Sequence, residues 1–116
     1  MGSLIRLIFA EAAKNDLESI IDYIALDNPI AAEAVYRAII SAGARLNYFP
    51  QMGRPGRLPG TRQLTVPGLP YLIAYQINAD QLTVLAVFHG ARDLAQALRQ
   101  RQTDLSDSGS TSGNPG

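Results

Sequence analysis

Cysteine is absent from this 116-residue sequence, which excludes a disulfide framework, thiolate metal sites and a cysteine nucleophile. Histidine occurs once, at His89, without a cluster of carboxylates near it in the sequence. No metal centre is expected on that inventory, and no cofactor. Lysine also occurs once, at Lys14, so the basic character of the chain rests on arginine. No apolar run approaches the ~18 residues needed to cross a bilayer. The opening Met1-Gly2-Ser3 leads within a few residues into a strand pattern, with neither a basic n-region nor a long apolar h-region, and the expected location is cytoplasmic.

Acidic residues are scarce in the later part of the chain. Residues 1–33 carry two basic side chains against six acidic ones, a net of −4, whereas residues 34–101 carry eight arginines against Asp80 and Asp93, a net of +6. Asp104 and Asp107 bring the total to zero. Arginine forks pair with carboxylate or phosphate in two-pronged geometry, so the basic part suits an acidic peptide or a nucleic-acid backbone. An ordinary solvated face is the other reading.

The length suits one folded domain, expected over residues 1–102. From Thr103 to Gly116 the composition is Ser, Gly, Thr, Asp, Asn and Pro with one leucine, too little apolar surface to offset the entropy of ordering, and this stretch reads as a disordered tail. Within the domain the pattern is organised around Leu82 to Asp93. Leu82, Val84, Ala86 and Phe88 alternate with Thr83, Leu85 and Val87, so both faces of this strand are apolar and it belongs inside a sheet. Gly90 then releases the backbone and leaves His89 and Arg92 near the rim.

Ahead of it, Leu4–Phe9 reads as a short strand. Ala10, Ala13, Leu17, Ile20, Ile21 and Ile24 recur at helical spacing and predict an amphipathic helix over about Glu11–Leu26. Asp27-Asn28-Pro29 supplies a polar cap and a proline at the first helical position, so a second, antiparallel helix follows at once. Its seam runs Val35, Ile39, Ala42, Leu46, Phe49, and it ends before Pro50. Gln51–Gly60 carries three glycines, two prolines, Arg54 and Arg57, and is expected to be irregular; with Arg62 it is suited to holding an anion. Arg62–Val66 and Tyr71–Ile77 are strands around the turn Pro67-Gly68-Leu69-Pro70, and with the Leu82 strand they make an antiparallel meander. Asp93 and Gln96 form a capping-box pattern for a short last helix. The expectation is an α+β domain: a helical hairpin on one face of a small antiparallel sheet, with Leu85 and Val87 on the second face.

Several motifs in this order resemble the RelE/ParE family of toxins from bacterial type II toxin–antitoxin modules. They are Asp16-Leu17-Glu18-Ser19-Ile20 and Asp22-Tyr23-Ile24, then Phe49-Pro50-Gln51-Met52-Gly53-Arg54-Pro55, then Pro70-Tyr71 to Tyr75, and Val87-Phe88-His89-Gly90-Ala91-Arg92-Asp93. The likeness covers about Ile5–Leu98 and is nearer the ParE, plasmid-stabilisation branch than the RelE branch.

That resemblance implies a growth inhibitor neutralised by a cognate antitoxin encoded adjacently. ParE-like members poison DNA gyrase, whereas RelE-like members cleave messenger RNA on the ribosome. For a ribonuclease, His89 and Arg92 are the catalytic candidates, with Arg54, Arg57 and Arg62 also on phosphate. Against that reading, Leu94 and Ala95 stand where a RelE-type tyrosine is wanted. For a binding protein, Arg54, Arg57, Arg62, Tyr71 and Arg92 are the candidate contacts with antitoxin or target. His89 is also readable as a strand-end residue that fixes the turn at Gly90, and Tyr71 and Tyr75 as sheet aromatics. A non-toxic interaction module retaining the fold is the remaining alternative.

Overall fold

The computed structural model describes residues 5–90. Within them the order is β1 (Arg6–Phe9), α1 (Glu11–Asp27), α2 (Pro29–Arg45), β2 (Arg54–Pro55), β3 (Arg62–Thr65), β4 (Tyr71–Asn78) and β5 (Gln81–His89). The five strands form one sheet in the order β1-β5-β4-β3-β2. Arg92, the expected helix from Asp93 and the tail 103–116 lie outside the described residues.

The α+β class and the helical hairpin are as the sequence predicts, with three corrections. First, the sheet is mixed: β1 runs parallel to β5, pairing Arg6 with Gln81 and Phe9 with Val84, while the other pairs are antiparallel. A chain that leaves β1, turns through two antiparallel helices and adds a meander returns to β1 in its own direction. Second, the glycine- and proline-rich loop is not wholly irregular, because Arg54 and Pro55 pair with Gln63 and Arg62 and close the sheet edge as β2. Proline is tolerated there because an edge strand needs no donor on its outer side. Third, α2 stops at Arg45, and although Leu46 is buried, Phe49 is 63% exposed and no part of the seam.

The link between the helices follows local chemistry. Asn28 Oδ1 accepts a hydrogen bond from the Ala31 N–H at 3.0 Å and caps α2, and Pro29 occupies the first turn where a missing donor costs nothing. Ala13 and Leu17 from α1 meet Ile39 and Ala42 from α2, and Leu46 at its C-cap, over Leu64, Val66, Ile73, Tyr75, Leu82, Val84 and Val87 of the sheet side. Gly43 of α2 lies over β1, where a Cβ would make an ordinary contact with the Phe9 ring at 3.7 Å.

The simple alternation expected for β5 breaks at a β-bulge. Tyr75 faces Val84 but Ala74 faces Ala86, so Leu85 is the extra residue and the phase of the strand flips. Leu82 and Val84 point into the helix side before the bulge; Val87 and His89 do so after it, opposite Ile73 and Tyr71. Val87 is therefore buried under the helices, and the second face carries Leu72, Ala74, Ala86 and Phe88 instead. β1 ends opposite Val84, and beyond it α1 meets the β5 backbone: the Val87 N–H donates to Asp16 Oδ2 at 3.0 Å.

Candidate functional site

The loop after α2 is where arginines, glycines and exposed apolar side chains come together. It starts in tight turns, with the N–H groups of Tyr48 and Phe49 donating to the Arg45 carbonyl and that of Met52 to Phe49. Two side chains from the sheet then hold it. The Tyr75 hydroxyl, on a residue with no exposed surface, donates to the Pro50 carbonyl at 2.8 Å and accepts from the Gly53 N–H at 2.9 Å. Arg62 Nη1 donates to the carbonyls of Gly53, at 2.6 Å, and Gln51, at 3.3 Å. Gly53 is required by this clamp: a Cβ there would lie 2.6 Å from the Tyr75 hydroxyl and 2.7 Å from the Gln63 carbonyl. Burial pushes the Tyr75 phenol above its usual range, while the Gly53 hydrogen bond and the Arg62 charge pull the other way.

The candidate residues separate accordingly. Arg62 faces the helix side, opposite Tyr75, and bonds to loop carbonyls. Arg54 and Arg57 are exposed, and with Pro55, Gly56, Gln63, Leu72 and Gly90 they line a shallow depression. Register places Arg54 opposite Gln63, on the face away from the helices. Tyr71 and His89 pair across β4 and β5 on the helix side, their rings edge to face at 5.7 Å between centroids. Next to this pair a 2.6 Å hydrogen bond from the Gly90 N–H to the Pro70 carbonyl continues the contact between the two strands. Among the described residues, then, the imidazole and the two exposed loop arginines are on opposite faces of the sheet. Arg92 lies outside the described residues.

The sequence reading missed the roles of Tyr75, Gly53 and Asp16. The signal for the first was present: a tyrosine alternating with isoleucines inside a buried strand needs a partner for its hydroxyl, and the carbonyl-rich loop supplies one. Asp16 stands in the first of the quoted motifs, but its acceptor role toward the Val87 N–H, across 71 positions of chain, is not announced by any local pattern. Among the described residues no group of three or more His, Asp or Glu side chains is placed to hold a metal ion, and no helix is long and apolar enough to cross a membrane.

This architecture has close counterparts. Y4kP of Sinorhizobium fredii is 37% identical over 93 residues, covering 80% of this chain and 96% of that protein. Toxin ParE3 of Caulobacter vibrioides is 27% identical over 99 residues, covering 83% and 97%. The solved chromosomal ParDE toxin–antitoxin system of P. aeruginosa includes a chain that superposes with a TM-score of 0.69 at 22% identity, over 75% of this chain and 97% of that one. The sequence profile of the ParE toxin of the type II toxin–antitoxin system parDE matches residues 7–94, from β1 past the end of β5. With the hairpin, the mixed sheet and the clamped loop all inside that span, the chain belongs to the ParE toxin family of type II toxin–antitoxin systems.

Proposed function

We propose that this chain inhibits growth by binding and poisoning DNA gyrase in the bacterial cytoplasm, and that an antitoxin encoded beside it holds it inactive. Membership of the ParE family supports the target. The observation that carries the mechanism is the division of the sheet: Arg54 and Arg57 present charge on one face while His89 packs against Tyr71 on the other. Cleavage of RNA by its 2′-hydroxyl calls for a proton acceptor, a proton donor and phosphate-binding cations around one phosphate. A gyrase poison calls only for a complementary surface. On this reading His89 serves the strand end, where it packs against Tyr71.

The antitoxin is read from charge. Arg54 and Arg57 are exposed and suit the carboxylates of an acidic segment laid along the hairpin and the loop, whereas Arg62 contributes by keeping the loop in shape. The expected partner is a small acidic protein whose gene adjoins this one.

Inducing the chain without its antitoxin tests the target. The expected result is gyrase-dependent DNA breakage with intact messenger RNA, unchanged in His89→Ala. Cleavage of ribosome-bound message that disappears in His89→Ala or Arg92→Ala would establish the RelE-like ribonuclease instead, because losing a general acid or base costs about 10²- to 10⁴-fold in rate. Absence of any growth defect would leave the non-toxic interaction module.

A further inference from the structure

Two clusters of large apolar side chains are exposed on the helical layer. One is the tip of the hairpin, where Tyr23, Leu26 and Ile30 are 76%, 83% and 81% exposed. The other follows α2, where Tyr48, Phe49 and Met52 are 69%, 63% and 42% exposed. Tyr36, Ile40 and Ala44, one helical turn apart and all exposed, lead along α2 toward this second cluster. Apolar patches of this kind mark contact surfaces.

Their surroundings differ. The tip carries Asp22 and Asp27. The second cluster is bracketed by the exposed Arg45 and Arg54, and residues 34–79 contain five arginines and no Asp or Glu. It is also built to hold its shape. Tyr75 and Arg62 fix the Pro50, Gln51 and Gly53 backbone from below with hydrogen bonds of 2.6 to 3.3 Å, so the apolar side chains project from a loop that need not be ordered on binding. Phe49 and Met52 line a shallow apolar dimple with Pro50 and Gln51.

We infer that the Tyr48–Phe49–Met52 knuckle is the hydrophobic anchor of the antitoxin interface, taking the apolar face of an acidic amphipathic segment whose carboxylates pair with Arg45. This rests on the antitoxin reading above and deepens it. Charge selects the knuckle over the hairpin tip: an acidic segment is repelled by the exposed Asp22 and Asp27 and drawn to a stretch of chain that carries arginines and no carboxylate. The α2 ridge supplies a track of helical length beside the anchor, and aromatic and arginine side chains of this kind dominate interface energetics.

The test uses the full chain and the protein encoded by the adjoining gene, with affinity measured by calorimetry and folding followed by the melting temperature. Phe49→Asp and Met52→Asp are expected to raise Kd more than tenfold with the melting temperature unchanged. Tyr23→Asp at the tip is expected to leave Kd unchanged. Should Phe49→Asp fail to fold, Met52→Asp and the charge reversal Arg45→Glu read the same surface. A rise below tenfold in the folded variants overturns the assignment, as does a variant that keeps antitoxin affinity but no longer inhibits growth, which gives the knuckle to the target. If the unaltered chain does not bind its neighbour at all, the antitoxin reading itself fails and the assignment falls with it.

Discussion

Tyr75 connects the sheet to the loop. Its ring lies in the core and its hydroxyl makes two hydrogen bonds to the backbone of residues 50 and 53. Tyr75→Phe keeps the ring and strands a buried N–H and a carbonyl, so a loss of about 1–3 kcal/mol is expected in urea unfolding, against near neutrality for an exposed tyrosine such as Tyr23. The same residue gives a pH signature. Burial raises the phenol above its unfolded value of about 10, so the folded state holds its proton longer than the unfolded state does. Stability from this group is complete below pH ~10 and declines as pH rises through the raised folded value. Comparing urea midpoints from pH 8 to 11 checks it: the alkaline decline is expected to be smaller in Tyr75→Phe, and an equal decline in both proteins counts against the assignment.

The hairpin and the bulged strand behave differently as elements. The hairpin is local: its turn is written in Asn28-Pro29, and Asn28→Ala removes the one side-chain cap of α2, a cost of about 0.5–2 kcal/mol. For a domain of this size, thermal unfolding is expected to shift down by roughly 4–8 °C per kcal/mol. Asn28→Asp, which also accepts from the Ala31 N–H, is expected to retain most of the stability. The strand β5 is not local in that sense. Its alternation is legible, and the burial of Leu82 and Val84 follows from it, but the extra residue at Leu85 turns Val87 from the expected second face to the core. Nothing in a run of apolar residues distinguishes the two phases, because leucine, alanine, valine and phenylalanine are acceptable on either face of a central strand.

At the scale of the molecule, the separation of charge matters more than its sum. The chain is neutral overall, so electrostatic steering of an acidic partner depends on local excess charge, to which the exposed Arg45, Arg54 and Arg57 contribute. Association with the antitoxin, followed by stopped-flow, is expected to slow on the order of tenfold or more as salt is raised from 50 to 500 mM, where screening shrinks to a few ångströms. Dissociation, governed by the apolar anchor, is expected to change little. A salt-independent association rate would remove the arginines from the encounter.

The amino-acid sequence by itself determined the elements and the family. Helical and alternating spacing, capping residues and prolines act over a few positions, and so β1, α1, α2, β3, β4 and β5 are readable from neighbours alone, as is the order of motifs that the ParE family shares. The meander of β3, β4 and β5 was legible too, but the tertiary structure alone decided where β1 and β2 sit and what each arginine does. The parallel seating of β1 on β5 and the hydrogen bond from the Val87 N–H to Asp16 join residues more than seventy positions apart, and the β2 edge depends on a pairing across an irregular loop. The sequence presents Arg54, Arg57 and Arg62 as one basic cluster; the pleat separates them, because Arg54 pairs with Gln63 on one face while Arg62 stands opposite Tyr75 on the other and hydrogen-bonds to the loop. Side-chain direction in a sheet depends on register, and register depends on contacts that local spacing does not encode.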